Sequence, residues 1–167
     1  ISFPVPGSVD ILSGLENDSE SNIEFIIGES EAAILHEGQW VGSLDSFSGG
    51  SGYWFYSNNL FDFSYNLDEL NRSGSLLSRN KEDGSSSFQP IDIDQSTLQM
   101  FYFIKEVPDF VNQGDVIMAF NKGVCVGERV WNGAMSDIPV MGYDGTPMTQ
   151  GYCELGDSPN FKLLKET

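Results

Sequence analysis

The sequence predicts an all-β chain of sandwich-like modules with short helical turns. Three observations carry that reading. From Gln113 onward, short apolar bursts are separated by turn residues: Gly114-Asp115, Val116 to Phe120, Asn121-Lys122-Gly123, Val124 to Val126, Gly127, Val130-Trp131, then Asn132-Gly133. Gly and Asn tolerate the positive φ of tight hairpin turns, so each burst reads as a short strand. Aromatic residues make up 13% of the chain, and large rings suit half-buried sheets. The opening residues alternate with period two, the repeat of a strand.

That opening is Ile1, Phe3 and Val5 interleaved with Ser2, Pro4 and Pro6. Pro4 and Pro6 lack an N–H, so one edge of the strand cannot be fully laddered. The segment reads as an edge strand, or as a strand seated in a groove. Ser8 reads as a helix N-cap, with Ile11, Leu12 and Leu15 at helical spacing. An acidic loop, Glu16 to Ser21, precedes an apolar strand from Ile23 to Ile27. Ala32 to Leu35 and Gln39 to Val41 flank His36-Glu37-Gly38 as a hairpin. Gly42-Ser43-Leu44 leads into Phe47 as one helical turn, Ser48 to Gly52 is a turn, and Tyr53 to Tyr56 is a strand. Asn58-Asn59 then turns the chain into Leu60, Phe61, Phe63 and Tyr65.

Patterning fades after Leu67, where Ser, Gly, Asn and charges dominate. Residues 67–90 read as a linker or long loop between an N-terminal module, 1–66, and a C-terminal module, 91–167. The second module begins with Ile91 and Ile93 and then an aromatic strand from Leu98 to Val107. After the Gly-Asp strands, Ile138 to Gly142, Tyr152 to Leu155 and Phe161 to Leu164 complete about six strands.

Eight basic against 25 acidic residues give a formal charge of −17. Such a surface repels nucleic acid and anionic membranes, which argues against both as partners. No apolar run approaches the roughly 20 residues of a membrane-spanning helix. The acidic, Lys-poor, Gly/Ser/Asn-rich composition fits an extracellular protein. The chain opens at Ile1, which reads as a leader or preceding domain removed or left out.

Two resemblances add to this. Ile1 to Val5, Trp40-Val41-Gly42-Ser43-Leu44 and Gly50-Ser51-Gly52-Tyr53-Trp54 resemble a β-sandwich module of large secreted proteins from environmental bacteria, with an opening strand, W-x-G-x-L and G-x-G-Y-W. Gly114 to Phe120, Cys125-Val126-Gly127, Trp131, Asp144-Gly145, Gly151-Tyr152 and Gly156 to Leu163 resemble a companion module, with Tyr143 where relatives often carry an acid. The match covers about two thirds of the chain and implies fold rather than function. The compact chain that starts on a strand also resembles subunits of pilus-like fibres built by donor-strand exchange, in which a short N-terminal strand completes the Ig-like or jelly-roll-like sandwich of a neighbour. In that reading Ile1, Phe3 and Val5 are three plugs for a neighbour's groove, and main-chain pairing supplies the strength. The other reading is an ordinary first strand folded into its own module.

Candidates for chemistry are few. His36 is the only histidine, so a nucleophile–His–acid relay would pass through a turn residue. Cys125 and Cys153 are read either as a disulfide, worth about 3 to 4 kcal/mol by loop entropy, or as two buried thiols. Asp115, Asp137, Asp144 and Asp157 are oxygen donors in turns of one module, weak candidates for calcium against a structural role. Trp40, Tyr53, Trp54 and Trp131 are weighed as a sugar-stacking platform against core aromatics; alternation through Tyr53 to Tyr56 buries two of those four. Asn17 and Asn71 begin glycosylation triplets.

The resulting expectation is a non-enzymatic structural subunit of an extracellular bacterial fibre, a homo-oligomer without cofactor that polymerises by inserting residues 1–6 into a neighbour. The alternative is a carbohydrate- or surface-binding module of a larger secreted adhesin. A hydrolase is a distant third.

Overall fold

A computed structural model describes residues 1–67 and 91–165, with Asn17 and Asp18 by backbone alone. The chain is all-β: the described residues form eleven strands, paired antiparallel, and a few single helical turns. It divides into two compact units, Ile1–Glu82 and Asp83–Thr167. The division falls inside the stretch that the sequence marks as a linker; 68–90, with Asn71, lie outside the described residues.

In the first unit β1 (Ser8–Asp10), α1 (Ile11–Gly14) and α2 (Asn17–Glu20) lead into β2 (Ile23–Ile27), β3 (Ala32–His36), β4 (Gln39–Gly42), β5 (Ser46–Ser48) and β6 (Trp54–Ser57). Strands β4-β3-β2-β6 form one antiparallel sheet in that order, and β1 pairs with β5 in a second. Both sheets send side chains into one core: Val9 and Phe47 from the small sheet, Ile23, Ile26 and Ala33 from the large one. Glu37 and Gly38 both have positive φ between the paired residues His36 and Gln39. That is the two-residue primed turn that matches strand twist, as the sequence foresees.

Three expectations for this unit change. Ser8 is a strand residue; the helix is capped by Asp10, whose carboxylate accepts the Leu12 N–H at 3.0 Å. The stretch from Glu16 to Ser21 contains a helical turn rather than only a loop, because the Ser19 and Glu20 amides both close onto the Glu16 carbonyl. The approach to Phe47 is a strand rather than a helical turn, since Ser46 and Ser48 pair with Asp10 and Ser8 and place Phe47 fully inside.

The second unit carries β7 (Gln99–Ile104), β8 (Val116–Asn121), β9 (Val124–Val130), β10 (Ser136–Met141), a 3-10 turn (Pro147–Thr149) and β11 (Asn160–Leu164). Its sheets are β11-β8-β9 and β10-β7, and both line a core of Ile117, Ala119, Val126, Trp131, Ile138 and Val140. Tyr102 of β7 meets Phe161 of β11 edge-on at 5.3 Å. Lys122 and Gly123 form a second primed turn. The apolar bursts on either side of Gly127 are one continuous strand: a Cβ at Gly127 would stand 2.0 Å from the Pro139 carbonyl oxygen, so the glycine marks a close approach of backbones and not a break. Residues Tyr152 to Leu155 form no strand; the region holds a lone parallel bridge from Gly142 to Cys153.

Candidate functional site

The opening segment shows where the sequence pattern leads. The Ile1 and Tyr53 backbones exchange both hydrogen bonds, at 2.6 and 2.8 Å, and the Phe3 amide donates to the Ser51 carbonyl at 3.0 Å. Ser2 thus lies antiparallel to Gly52 of the same unit. Phe3 is buried against Phe47, at 6.0 Å between ring centroids, and Tyr65, edge-on at 5.0 Å. Of the three residues read as plugs, only Phe3 fills a pocket, and the pocket belongs to its own unit. Ile1 is 62% exposed and Val5 half-buried. The alternation is real, but the segment's end overhangs the core.

Next to this segment lies an aromatic sheet face. Cα pairing aligns Val41, Ile34, Phe25 and Tyr56 across four strands, and Ile27 with Trp54. Residues directly opposite share a face, while the alternate row, Ile26, Phe55 and Ala33, enters the core. Trp54 is 66% and Tyr56 48% exposed. Phe25 stacks parallel on Tyr56, with ring centroids 4.7 Å apart and planes within 3°, so the Tyr56 ring is fixed with its other side free. Polar groups line the Ser57 end: Asn58 donates to the Glu24 carboxylate, Ser57 to the Asn59 carbonyl at 2.6 Å, and Asn59 to Asn22 at 3.5 Å.

The sugar platform read from sequence changes membership. Tyr53 is core, its hydroxyl accepting the Ser48 amide, and Trp131 is core in the other unit. Trp40 packs against the first core with its indole N–H buried and unpartnered among the described residues. Trp54 remains, joined by Tyr56 and Phe25. Four aromatics in a row hide which pair faces out; only the partner strand's Ile26 decides it.

The four aspartates considered for calcium do not converge, and each is held by its own donors. Buried Asp115 accepts from Lys165 at 2.7 Å and from the Asn112 amide at 2.8 Å. Buried Asp137 accepts from Arg129 at 3.0 Å. Asp144 takes the Thr149 and Thr146 hydroxyls at 2.7 and 2.8 Å and the Thr146 and Thr97 amides. The Thr149 hydroxyl, then that of Thr146, holds its carboxyl far below the usual range. Asp157 accepts the Glu154 amide, Lys122 and the Asn121 side chain, which lower its pKa in that order. Among the described residues no three His, Cys, Asp or Glu side chains gather as a metal site. Asp115, Asp144 and Asp157 staple turns, whereas Asp137 is a strand residue of β10 whose carboxylate ties that strand to Arg129 of β9.

Cys125 and Cys153 stand as free, half-buried thiols rather than a bridge, and burial pushes both pKa values up. His36 ends β3 beside the hairpin turn. Asn17 opens α2. Among the described residues no helix is long and apolar enough to cross a membrane.

Comparison with known proteins adds no relative: no family model, curated protein or solved structure matches the chain.

Proposed function

We propose that this chain is a non-catalytic attachment module of a larger secreted bacterial protein, two Ig-like or jelly-roll-like halves, which holds carbohydrate on a surface through the outer face of β2 and β6. One observation carries the reading: Trp54 and Tyr56, two residues apart on one strand, are presented to solvent while their neighbours Tyr53 and Phe55 are withdrawn into the core. Rings with an apolar body and a polar tip serve where a contact is part apolar and part wet. The amide-rich edge of Asn22, Asn58 and Asn59 supplies donors and acceptors for hydroxyl groups. At −17 the chain favours neutral polymers over polyanions.

Retention on insoluble neutral polysaccharides, measured by depletion from solution, tests it. Trp54→Ala is expected to weaken binding about 30-fold, the scale of a central aromatic anchor, with unchanged folding. Equal retention of both proteins, or none of either, removes the reading.

A second reading has one observation in its favour. Phe3 occupies its pocket through a segment laddered on one edge only, and the same contacts can be made by the opening segment of another copy. In that case Ile1–Val5 donated in trans builds a pilus-like extracellular fibre. Removing residues 1–6 then abolishes filaments seen by electron microscopy; filaments that persist would exclude it.

A further inference from the structure

The outer face of β2 and β6 owes its make-up to one irregularity in β2. Ile23 and Ile26 both enter the core, although strict alternation would send residues at that odd spacing to opposite faces. The pairing with β6 shifts between Ile23 and Phe25, so Glu24 and Phe25 share one step of the ladder. Such a bulge sets two residues against one on the partner strand and re-aims a side chain. Phe25 accordingly stacks on Tyr56 outside the core, and its neighbour Glu24 is exposed, accepting from the Asn58 side chain.

Glu24 thus brings a negative charge to the aromatic face, and nothing basic offsets it. Residues 1–67 contain no lysine or arginine, whereas acids recur from Asp10 to Asp62. Among the described residues Glu24 is paired with no cation. The faces of aromatic rings attract cations, tryptophan most strongly. Trp54, the more exposed of the two outward rings of β6, lies two residues, roughly 7 Å, along the strand from Tyr56. Rings and charge are complementary to a ligand that is flat, apolar on its faces and positive at its rim.

Resting on the carbohydrate reading above, we propose that this face selects amino-sugar polymers with protonated amines, and that Glu24 determines the selection. In an equatorially linked glucosamine chain each sugar offers an axial C–H face to an aromatic ring, while its amine projects sideways. A sugar seated on Tyr56 therefore carries its ammonium at the side of the ring, where the Glu24 carboxylate accepts a charge-assisted hydrogen bond. The next sugar along β6 meets Trp54, whose indole face takes an ammonium as a cation–π contact. An N-acetylated sugar stacks on the same rings but gives Glu24 no cation, and a uronate is repelled by it. The ion pair is exposed, so its share of the affinity shrinks as salt is added.

The test is titration calorimetry of the full chain with hexamers of glucosamine, N-acetylglucosamine and glucose in the same linkage, at one pH that keeps the amines protonated. The glucosamine hexamer is expected to bind about fivefold more tightly than the other two, the scale of one exposed ion pair and one cation–π contact. Glu24→Gln, whose carbonyl still accepts from Asn58, removes that preference and leaves the N-acetylglucosamine affinity unchanged. Glu106→Gln, an exposed carboxylate of the other unit, leaves the preference intact. Equal affinity for all three hexamers would overturn the proposal while leaving carbohydrate binding in place. So would a preference that survives Glu24→Gln, one that Glu106→Gln lowers as much, or equal competition by hexalysine, each a sign of diffuse charge. Binding of none of the hexamers removes the carbohydrate reading and this proposal with it.

Discussion

Phe3 anchors the first unit from outside its regular strands. Its ring is 3% exposed, and Phe47 and Tyr65 close over it. Phe3→Ala is expected to destabilise that unit by about 3 to 5 kcal/mol, read from urea unfolding, whereas Ile1→Ala at a 62% exposed position changes it by less than about 0.5 kcal/mol. Tyr65 predicts a pH effect. Burial, assisted by the neighbouring Tyr53, raises its pKa from 10.0 to about 12, and its hydroxyl is buried without a partner among the described residues. The fold favours the neutral phenol, so this contribution is complete below pH 10 and disappears as pH rises through about 12. Thermal unfolding across that window, with Tyr65→Phe as the control that removes this dependence, checks it. At this scale the sequence is legible in part. The period-two opening identifies Phe3 correctly as a buried ring, but burial of its neighbours depends on where the segment runs off the sheet. The turn aspartates read as possible ligands because a sequence does not show Thr146, Thr149, Lys122 or Lys165 folding over them.

Elements were most legible where turn chemistry is strict. Glu37-Gly38 and Lys122-Gly123 sit in two-residue loops whose residues all have positive φ, and the hairpins they close lie where glycine and flanking apolar runs place them. Elements that depend on a distant partner were not: β5 exists because β1 is opposite it, and nothing local to Ser46–Ser48 announces this. Gly127 reads as a gap between strands for the same reason, since the Pro139 carbonyl that demands a glycine inside β9 lies on another strand. The two kinds of glycine separate experimentally. Gly38→Ala meets no neighbouring atom and costs about 1 kcal/mol of backbone strain at φ +79°. Gly127→Ala forces a methyl into a carbonyl oxygen and is expected to cost about 3 kcal/mol or more. Differential scanning calorimetry of the two variants measures that ordering.

For the whole molecule, each of the two cores is drawn from one unit alone. Damage to one is therefore expected to spare the other. Arg129→Met leaves the buried Asp137 carboxylate without its 3.0 Å partner, and losing one member of a buried pair costs about 3 kcal/mol or more. Calorimetry should show this substitution lowering one transition and Phe3→Ala lowering a different one; a single transition shifted by both would show the units melting together. With 25 acids against eight bases, both transitions should rise with salt as self-repulsion is screened. The break between Glu82 and Asp83 falls in the stretch where the patterning of the sequence fades.

The ladder between Ile1 and Tyr53 has a practical corollary. Its direction aims whatever is spliced ahead of Ile1 along the flank of Trp54–Ser57. A purification tag placed there would run beside the exposed aromatic rings, so a handle at the far terminus gives the cleaner reagent for the binding assay proposed above.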